Sequence, residues 1–423
     1  MSRRALVLTI AATLVTVGGC HGYRGPRIPM PSPGSHGSGS GGAPMPGLRT
    51  LAERGEKLLE GLPWHPDVIR ANLGANGPVA LAQIYVMQDD VLAVDASGKI
   101  FCLSRRDLTP KWVSSLKYAP SAPPAENASQ YVWVERAPNG AAWLQWFSRR
   151  SGAEGGRSPA RLPYSPSTGV SASTSTAYIG SLGSPLDNKT LETVNLADGT
   201  QGWGYRTMSR IVATPTLDPN GDVVIVVSED RTITSFPAAP AGQQPSGVNW
   251  EKDTLGTNSS APAMTKDWMF LASEDNFIRC YDVGSGEVRW MNGTDAPIKR
   301  SPWLLGGMVK KEVALGGEGS GKARVEVYEG NVFVRNELGL HAYDAESGTK
   351  VFTDRDALRP LVKYGDWVVT IDTAGGAQLR KGKGLPVTDT VNLGMFDFLP
   401  TNSSDGTVVA GTTDGMILLA VPK

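Results

Sequence analysis

Apolar and polar residues alternate in short bursts along most of the chain, and the stretch Asp267–Trp290, DWMFLASEDNFIRCYDVGSGEVRW, states the pattern most fully. Trp268, Phe270 and Ala272 fall on one face of an extended segment and Met269 and Leu271 on the other, which predicts a strand covered on both sides. Ser273–Asn276 is a polar turn, Phe277–Asp282 a returning strand, Val283–Gly286 a second turn and Glu287–Trp290 a third strand. Such a unit cannot bury its own faces and must stack on copies of itself.

The copies keep register. Cys280 and Trp290 stand ten positions apart, and the same step separates Cys102 from Trp112, Thr193 from Trp203 and Ala342 from Phe352. In the ungapped match of VVSEDRTITSF to LASEDNFIRCY, Ser235 takes the place of Cys280, and its aromatic partner Trp250 comes late, after the loop Pro237–Val248. A small residue followed by an aromatic is what repeated identical packing niches select, so these ten residues are the expected repeat core. Thr214-Pro215, Ala261-Pro262 and Ser301-Pro302 precede units and mark where innermost strands begin.

Four strands recurring every few tens of residues from Leu81 onward predict an all-β propeller of eight four-stranded blades. Two units depart from the template. The second, YVWVERAPNGAAWLQWFSRRSG, puts Trp146 in the small-residue niche and Gly156 where the aromatic belongs; if it is not a blade, the count is seven. The eighth stops at Val421 without a fourth strand, and a segment between Leu62 and Ala80 is the natural donor to close the ring. An insertion at Gly306–Val327 precedes the sixth unit.

Upstream the pattern changes. Arg3 and Arg4 precede the apolar run Ala5–Val17 and the sequence Val17-Gly18-Gly19-Cys20, which resembles a bacterial lipobox. Residues 1–19 are then a signal peptide and Cys20 a lipidated first residue. Residues 20–47, rich in Gly, Pro and Ser, read as a disordered tether. Leu48, Leu51, Leu58, Leu59 and Leu62 recur at helical spacing and predict a short helix within residues 48–80, ahead of a propeller over 81–423.

Composition narrows the chemistry. Among 423 residues, Lys plus Arg (41) balances Asp plus Glu (41), so there is no basic surface field for a nucleic-acid partner. Three cysteines make no disulfide framework, and Cys102 and Cys280, in the same niche of distant units, are expected as buried free thiols. His21, His36, His65 and His341 are too scattered for a zinc site, and His341 is expected on a strand facing water or a neighbouring blade. Gly316–Ala323 nearly spells a phosphate-binding loop, yet Ala323 stands where a Ser or Thr must hold magnesium. No catalytic residue, metal ligand or cofactor-binding residue is assigned.

The runs Cys280-Tyr281-Asp282-Val283-Gly284-Ser285-Gly286 and Ala342-Tyr343-Asp344-Ala345-Glu346-Ser347-Gly348 resemble the repeat of pyrroloquinoline-quinone-type propellers. One branch of that family consists of quinone- and calcium-dependent dehydrogenases with a pair of adjacent cysteines, which this chain lacks. The other is the non-catalytic propeller lipoprotein of outer-membrane barrel assembly. The resemblance implies an envelope scaffold, lipid-anchored through Cys20 at the periplasmic face of the outer membrane, without cofactor, binding an envelope protein. The alternative it implies is a quinone-dependent oxidoreductase.

Overall fold

The computed structural model describes residues 63–65 and 68–423, except 119, 156–158, 183–189, 241 and 315–321. Cys20, the tether and the helix expected over 48–62 lie outside the described residues.

Eight antiparallel sheets form an eight-bladed propeller. Blade 1 is Leu81–Val86, Asp90–Asp95, Lys99–Ser104 and Pro110–Ser115; blade 2 is Ala125–Glu126, Gln130–Arg136, Ala142–Ser148 and Ala160–Arg161. Blade 3 is Pro166–Ala172, Thr176–Ser181, Thr190–Asn195 and Gln201–Arg206; blade 4 is Thr216–Leu217, Val223–Val227, Thr232–Pro237 and Trp250–Asp253. Blade 5 is Ala263–Met264, Trp268–Ala272, Phe277–Asp282 and Val288–Gly293, and blade 6 is Trp303–Ala314, Lys322–Asn336, Gly339–Asp344 and Lys350–Asp354. Blade 7 is Ala357–Tyr364, Trp367–Asp372, Gly376–Lys381 and Val387–Asn392. First strands meet those of neighbouring blades, which makes them the inner ones.

Blade 8 takes strands from both ends of the described chain. Val408–Gly411 and Met416–Ala420 are joined by Ile69–Asn72, paired antiparallel as Ile69 with Leu419 through Asn72 with Met416, and Phe398 bridges Gly411 on the inner side. The closing strand therefore comes from between Leu62 and Ala80. The pairing continues to Trp64 and Pro422, and Lys423 N donates to Pro63 O at 2.8 Å. Trp64 is buried in the seam between blades 7 and 8, and its indole donates to Gly406 O at 2.8 Å.

The alternation of apolar residues explains the stacking, because each blade buries one face against each neighbour. Eight apolar clusters result among the described residues, one for each seam between consecutive blades. The last of them joins Val409, Ile417 and Leu419 of blade 8 to Leu81, Val91 and Phe101 of blade 1 and completes the circle. Arg105 fastens the same seam with polar bonds. Its guanidinium donates to Met87 O and Gln88 O in its own blade and to Asn402 and Ser404 in blade 8, and it pairs with Asp405.

The second unit is a genuine blade. Trp146 does occupy the niche, fully buried, and a Cβ on Gly155 would fall 1.8 Å from its indole nitrogen. Bulk has moved from the fourth strand to the third, which is why the template match fails there. The insertion before the sixth unit is no separate loop. It lengthens the inner hairpin of blade 6, in continuous register from Trp303 opposite Phe333 to Ala314 opposite Lys322. Ala323 therefore lies on a strand, not at the start of a helix.

Replacing Trp64 with Ala is expected to cost about 3–5 kcal/mol, the range for truncating a buried aromatic side chain. The midpoint of urea unfolding measures it; an unchanged midpoint would mean that the Pro63–His65 segment only overlies the ring.

Candidate functional site

The repeat-core residues share one environment. Cys102, Thr193, Ser235, Cys280 and Ala342 are all fully buried. Each pairs with the middle of its second strand, opposite Leu92, Tyr178, Ile225, Phe270 and Phe333 respectively. Opposite Cys102, Ser235, Cys280 and Ala342 on the fourth strand stand Trp112, Trp250, Trp290 and Phe352. In blade 3 the Thr193 hydroxyl donates to Trp203 O at 2.6 Å. Burial pushes the Cys280 thiol up to about 12 and raises that of Cys102 as well, so both free cysteines stay neutral and unreactive.

The small third-strand residue leaves room for the indole to cross to the next blade. Trp112 donates to Arg149 O at 2.8 Å, Trp250 to Val283 O at 2.8 Å and Trp290 to Ala345 O at 3.1 Å. Each ring lies on a glycine of the receiving turn, Gly152, Gly286 and Gly348, all at positive φ. In blades 5 and 6 the aspartate of the repeat shapes that turn: Asp282 accepts from Ser285 N, and Asp344 from Ser347 N. Two blades depart. Blade 4 offers Trp203 the loop Pro237–Val248 instead of a glycine turn, and the Trp203 N–H is buried without a partner. Phe352 has no N–H, and Arg380 of blade 7 lies 4.3 Å from its ring centroid.

The two faces of the ring differ. One carries the third-to-fourth turns that receive these aromatics, here the dock face; the other carries the second-to-third turns and the linkers between blades, here the linker face. Among the described residues twelve large apolar side chains are exposed. Tyr164, Leu182, Met208, Leu255, Leu338 and Met395 lie in loops of the linker face, against Val248 and Tyr364 on the dock face. Met208 is 84% exposed and Leu255 78%, far beyond the rest.

These two flank one turn, Glu229–Arg231 of blade 4. The Ser209 hydroxyl, next to Met208, accepts from Asp230 N at 2.8 Å, and Arg210 faces Glu229 at 3.5 Å. Thr254 N donates to Arg231 O at 2.9 Å, and the Arg231 guanidinium donates to Leu255 O at 3.4 Å. Arg231 itself is held at φ 78°, a conformation that a non-glycine residue adopts only when its surroundings impose it. The arrangement is a rigid platform holding two apolar tips in solvent. Nothing in the sequence marks Met208 or Leu255, because an apolar residue in a loop reads as core until its exposure is known.

A cleft of about 270 Å³ between blades 1 and 2 is lined by Asp89, Asp90, Lys111, Ala128, Arg149 and Arg150. Four of its five charges are paired, Lys111 with Asp90 at 2.5 Å and Arg149 with Asp89 at 2.7 Å, while Arg150 is exposed. Elsewhere among the described residues no three His, Cys, Asp or Glu side chains converge on a point where a cation would sit. The cysteines face seams in blades 1 and 5, remote from each other in the ring.

His341 is buried and does not face water. Its ring nitrogens lie 3.1 Å from Asn336 Oδ1 and 3.1 Å from Thr353 Oγ1, and burial, helped by Lys350, lowers its pKa to about 4.

A family model described as outer membrane protein assembly factor BamB matches residues 238–379. That span holds the template stretch and both Asp-x-x-Ser-Gly turns. Among solved structures, BamB from Moraxella catarrhalis superposes with a TM-score of 0.57 at 15% identity, covering 84% of this chain and 98% of that one. The computationally designed Ika8 protein gives 0.52 at 12% identity, covering 81% and 96%. The C-terminal WD40 domain of Sif2 gives 0.51 at 10% identity, covering 84% and 99%. At such identities the likeness is one of fold. A search of curated proteins found no match.

Within the repeat the turn glycine is the testable element. A Cβ on Gly286 would lie 2.7 Å from the Trp250 ring at φ 69°, whereas on Gly284 it would meet nothing closer than 3.4 Å. Gly286→Ala is expected to destabilise by more than about 1 kcal/mol and Gly284→Ala by less than about 0.5 kcal/mol. Urea midpoints of the two variants compared with wild type give the answer.

Proposed function

We propose that this protein is a non-catalytic scaffold of the bacterial envelope, of the BamB type, anchored by a lipid on Cys20 at the periplasmic face of the outer membrane. It binds a protein partner through the linker face. The observation that carries this reading is the pair Met208 and Leu255, the two most exposed large apolar side chains, presented on a turn held rigid from both sides. Solvated apolar side chains on a preorganised loop surface are what a binding hot spot requires before its partner covers them. The lipobox-like run ending at Cys20 and the repeat shared with the BamB family model support the location and the class.

The test is affinity purification from cross-linked membranes, comparing wild type with Met208→Asp and Leu255→Asp. Both side chains are exposed, so the variants should keep wild-type stability within about 0.5 kcal/mol. Each should lose the captured partner about tenfold or more. A partner retained equally by both variants overturns the assignment of the surface. Radiolabelled fatty acid should enter wild type and not Cys20→Ala. Incubation with the quinone and calcium should give neither bound-cofactor absorbance nor dye reduction; turnover there would replace the scaffold reading with an oxidoreductase.

A further inference from the structure

We propose that protonation of Glu135 sets how tightly blade 2 holds the linker arriving from blade 1. Glu135 stands on the second strand of blade 2 and is fully buried. Its Oε2 accepts a 2.6 Å hydrogen bond from Tyr118 N, while Pro120 bridges to Glu135 and Ser121 N donates to Val134 O at 2.9 Å. The linker is thus tied to blade 2 at Lys117, whose N donates to Gln145 Oε1 at 3.1 Å, and at Tyr118, Pro120 and Ser121, with the carboxylate holding Tyr118. The other oxygen, Oε1, is buried with no partner.

The surroundings share that deficit. Trp133 is two residues away on the same face of the strand, and Trp143 is the cross-strand partner of Glu135. Both indole N–H groups are buried and unpartnered. A neutral carboxyl tolerates such a site; a carboxylate there leaves half its charge unsolvated. Burial accordingly raises the pKa of Glu135 to about 7.

Two charged groups act on Glu135. Glu154, hydrogen-bonded to the buried Gln145, raises its affinity for a proton. Lys117 of the linker lowers it, from a perch with its ammonium 4.8 Å from the Trp143 ring centroid and 5.5 Å from that of Tyr118. When the proton leaves to solvent, Oε1 needs a donor, which water supplies by entering between linker and strand. Rising pH therefore loosens the ties at Tyr118 and Ser121.

The sign follows from linkage. The folded state holds the proton more tightly than the unfolded chain, so this group's contribution to stability is present at acidic pH and is lost as pH rises through about 4.5 to 7. His341, kept neutral by burial, works the other way below about 6.5, so each profile is read as wild type minus variant. The linker lies on the same face as Met208 and Leu255, but the inference does not depend on what binds there.

Tryptophan emission, thermal midpoint and amide exchange at Tyr118 and Ser121 are to be followed in the full chain from about pH 5 to pH 8.5. Relative to Glu135→Gln, wild type should show red-shifted emission, faster exchange and a lower midpoint as pH rises, with a single transition near neutrality. Should Glu135→Gln fail to fold, exposed neighbours serve instead. Glu154→Gln should move the transition to lower pH and Lys117→Met to higher pH. Superimposable profiles for wild type and Glu135→Gln, or a transition that neither neighbour moves, overturn the proposal.

Discussion

The whole structure depends on each blade finding two partners. A four-stranded sheet with apolar residues on both faces is insoluble alone, and neighbours cover it completely only if the row closes on itself. The eight seam clusters are that requirement met eight times, and no seam is dispensable. The seam between blades 8 and 1 differs from the others in bringing together segments some three hundred residues apart. Ring closure is fastened by strand pairing at Ile69–Asn72 within blade 8, by the indole of Trp64 in the seam between blades 7 and 8, and by the guanidinium of Arg105 reaching from blade 1 to Asn402 and Ser404.

Within the seams, one device recurs. An indole on the outer strand crosses a small residue on the third strand and donates to a carbonyl in the next blade, with glycine beneath it. This couples a local sequence rule to a tertiary contact: the Asp-x-x-Ser-Gly turn of one blade is the receptor for the tryptophan of the preceding one. Where blade 4 has a longer loop, the indole loses its acceptor but stays buried against Tyr178 and Phe236.

Much of this was legible in the residues themselves. Ten-residue spacing between Cys280 and Trp290 and its copies identifies the niche, since the repeat imposes the same shape on every unit. A missing fourth strand after Val421 points to a donor near the start of the propeller. What was not legible depends on volume or on distance along the chain. In blade 2 the bulk of the niche passes to Trp146 and the gap to Gly155, so comparison position by position sees no blade although the filled space is the same. Arg105, Trp64 and Glu135 look like ordinary residues, because their partners are remote in sequence or, for Glu135, because the decisive fact is an absent hydrogen bond. His341 lies buried on the face of blade 6 that meets blade 5, the second of the two placements its strand position allows, and what the residue alone does not announce is that Asn336 and Thr353 meet its ring. Met208 and Leu255 show the converse, apolar residues that folding leaves in water.

The shared seam of blades 8 and 1 has an implication for assembly. The surfaces that meet there are complementary to each other, not to themselves. A chain opened at that point is an arc with one terminal surface of each kind, and the last blade of one copy then matches the first blade of another. Such contacts are heterologous, and whether they end in a larger circle or run on as a fibre depends on the angle at which each arc relaxes.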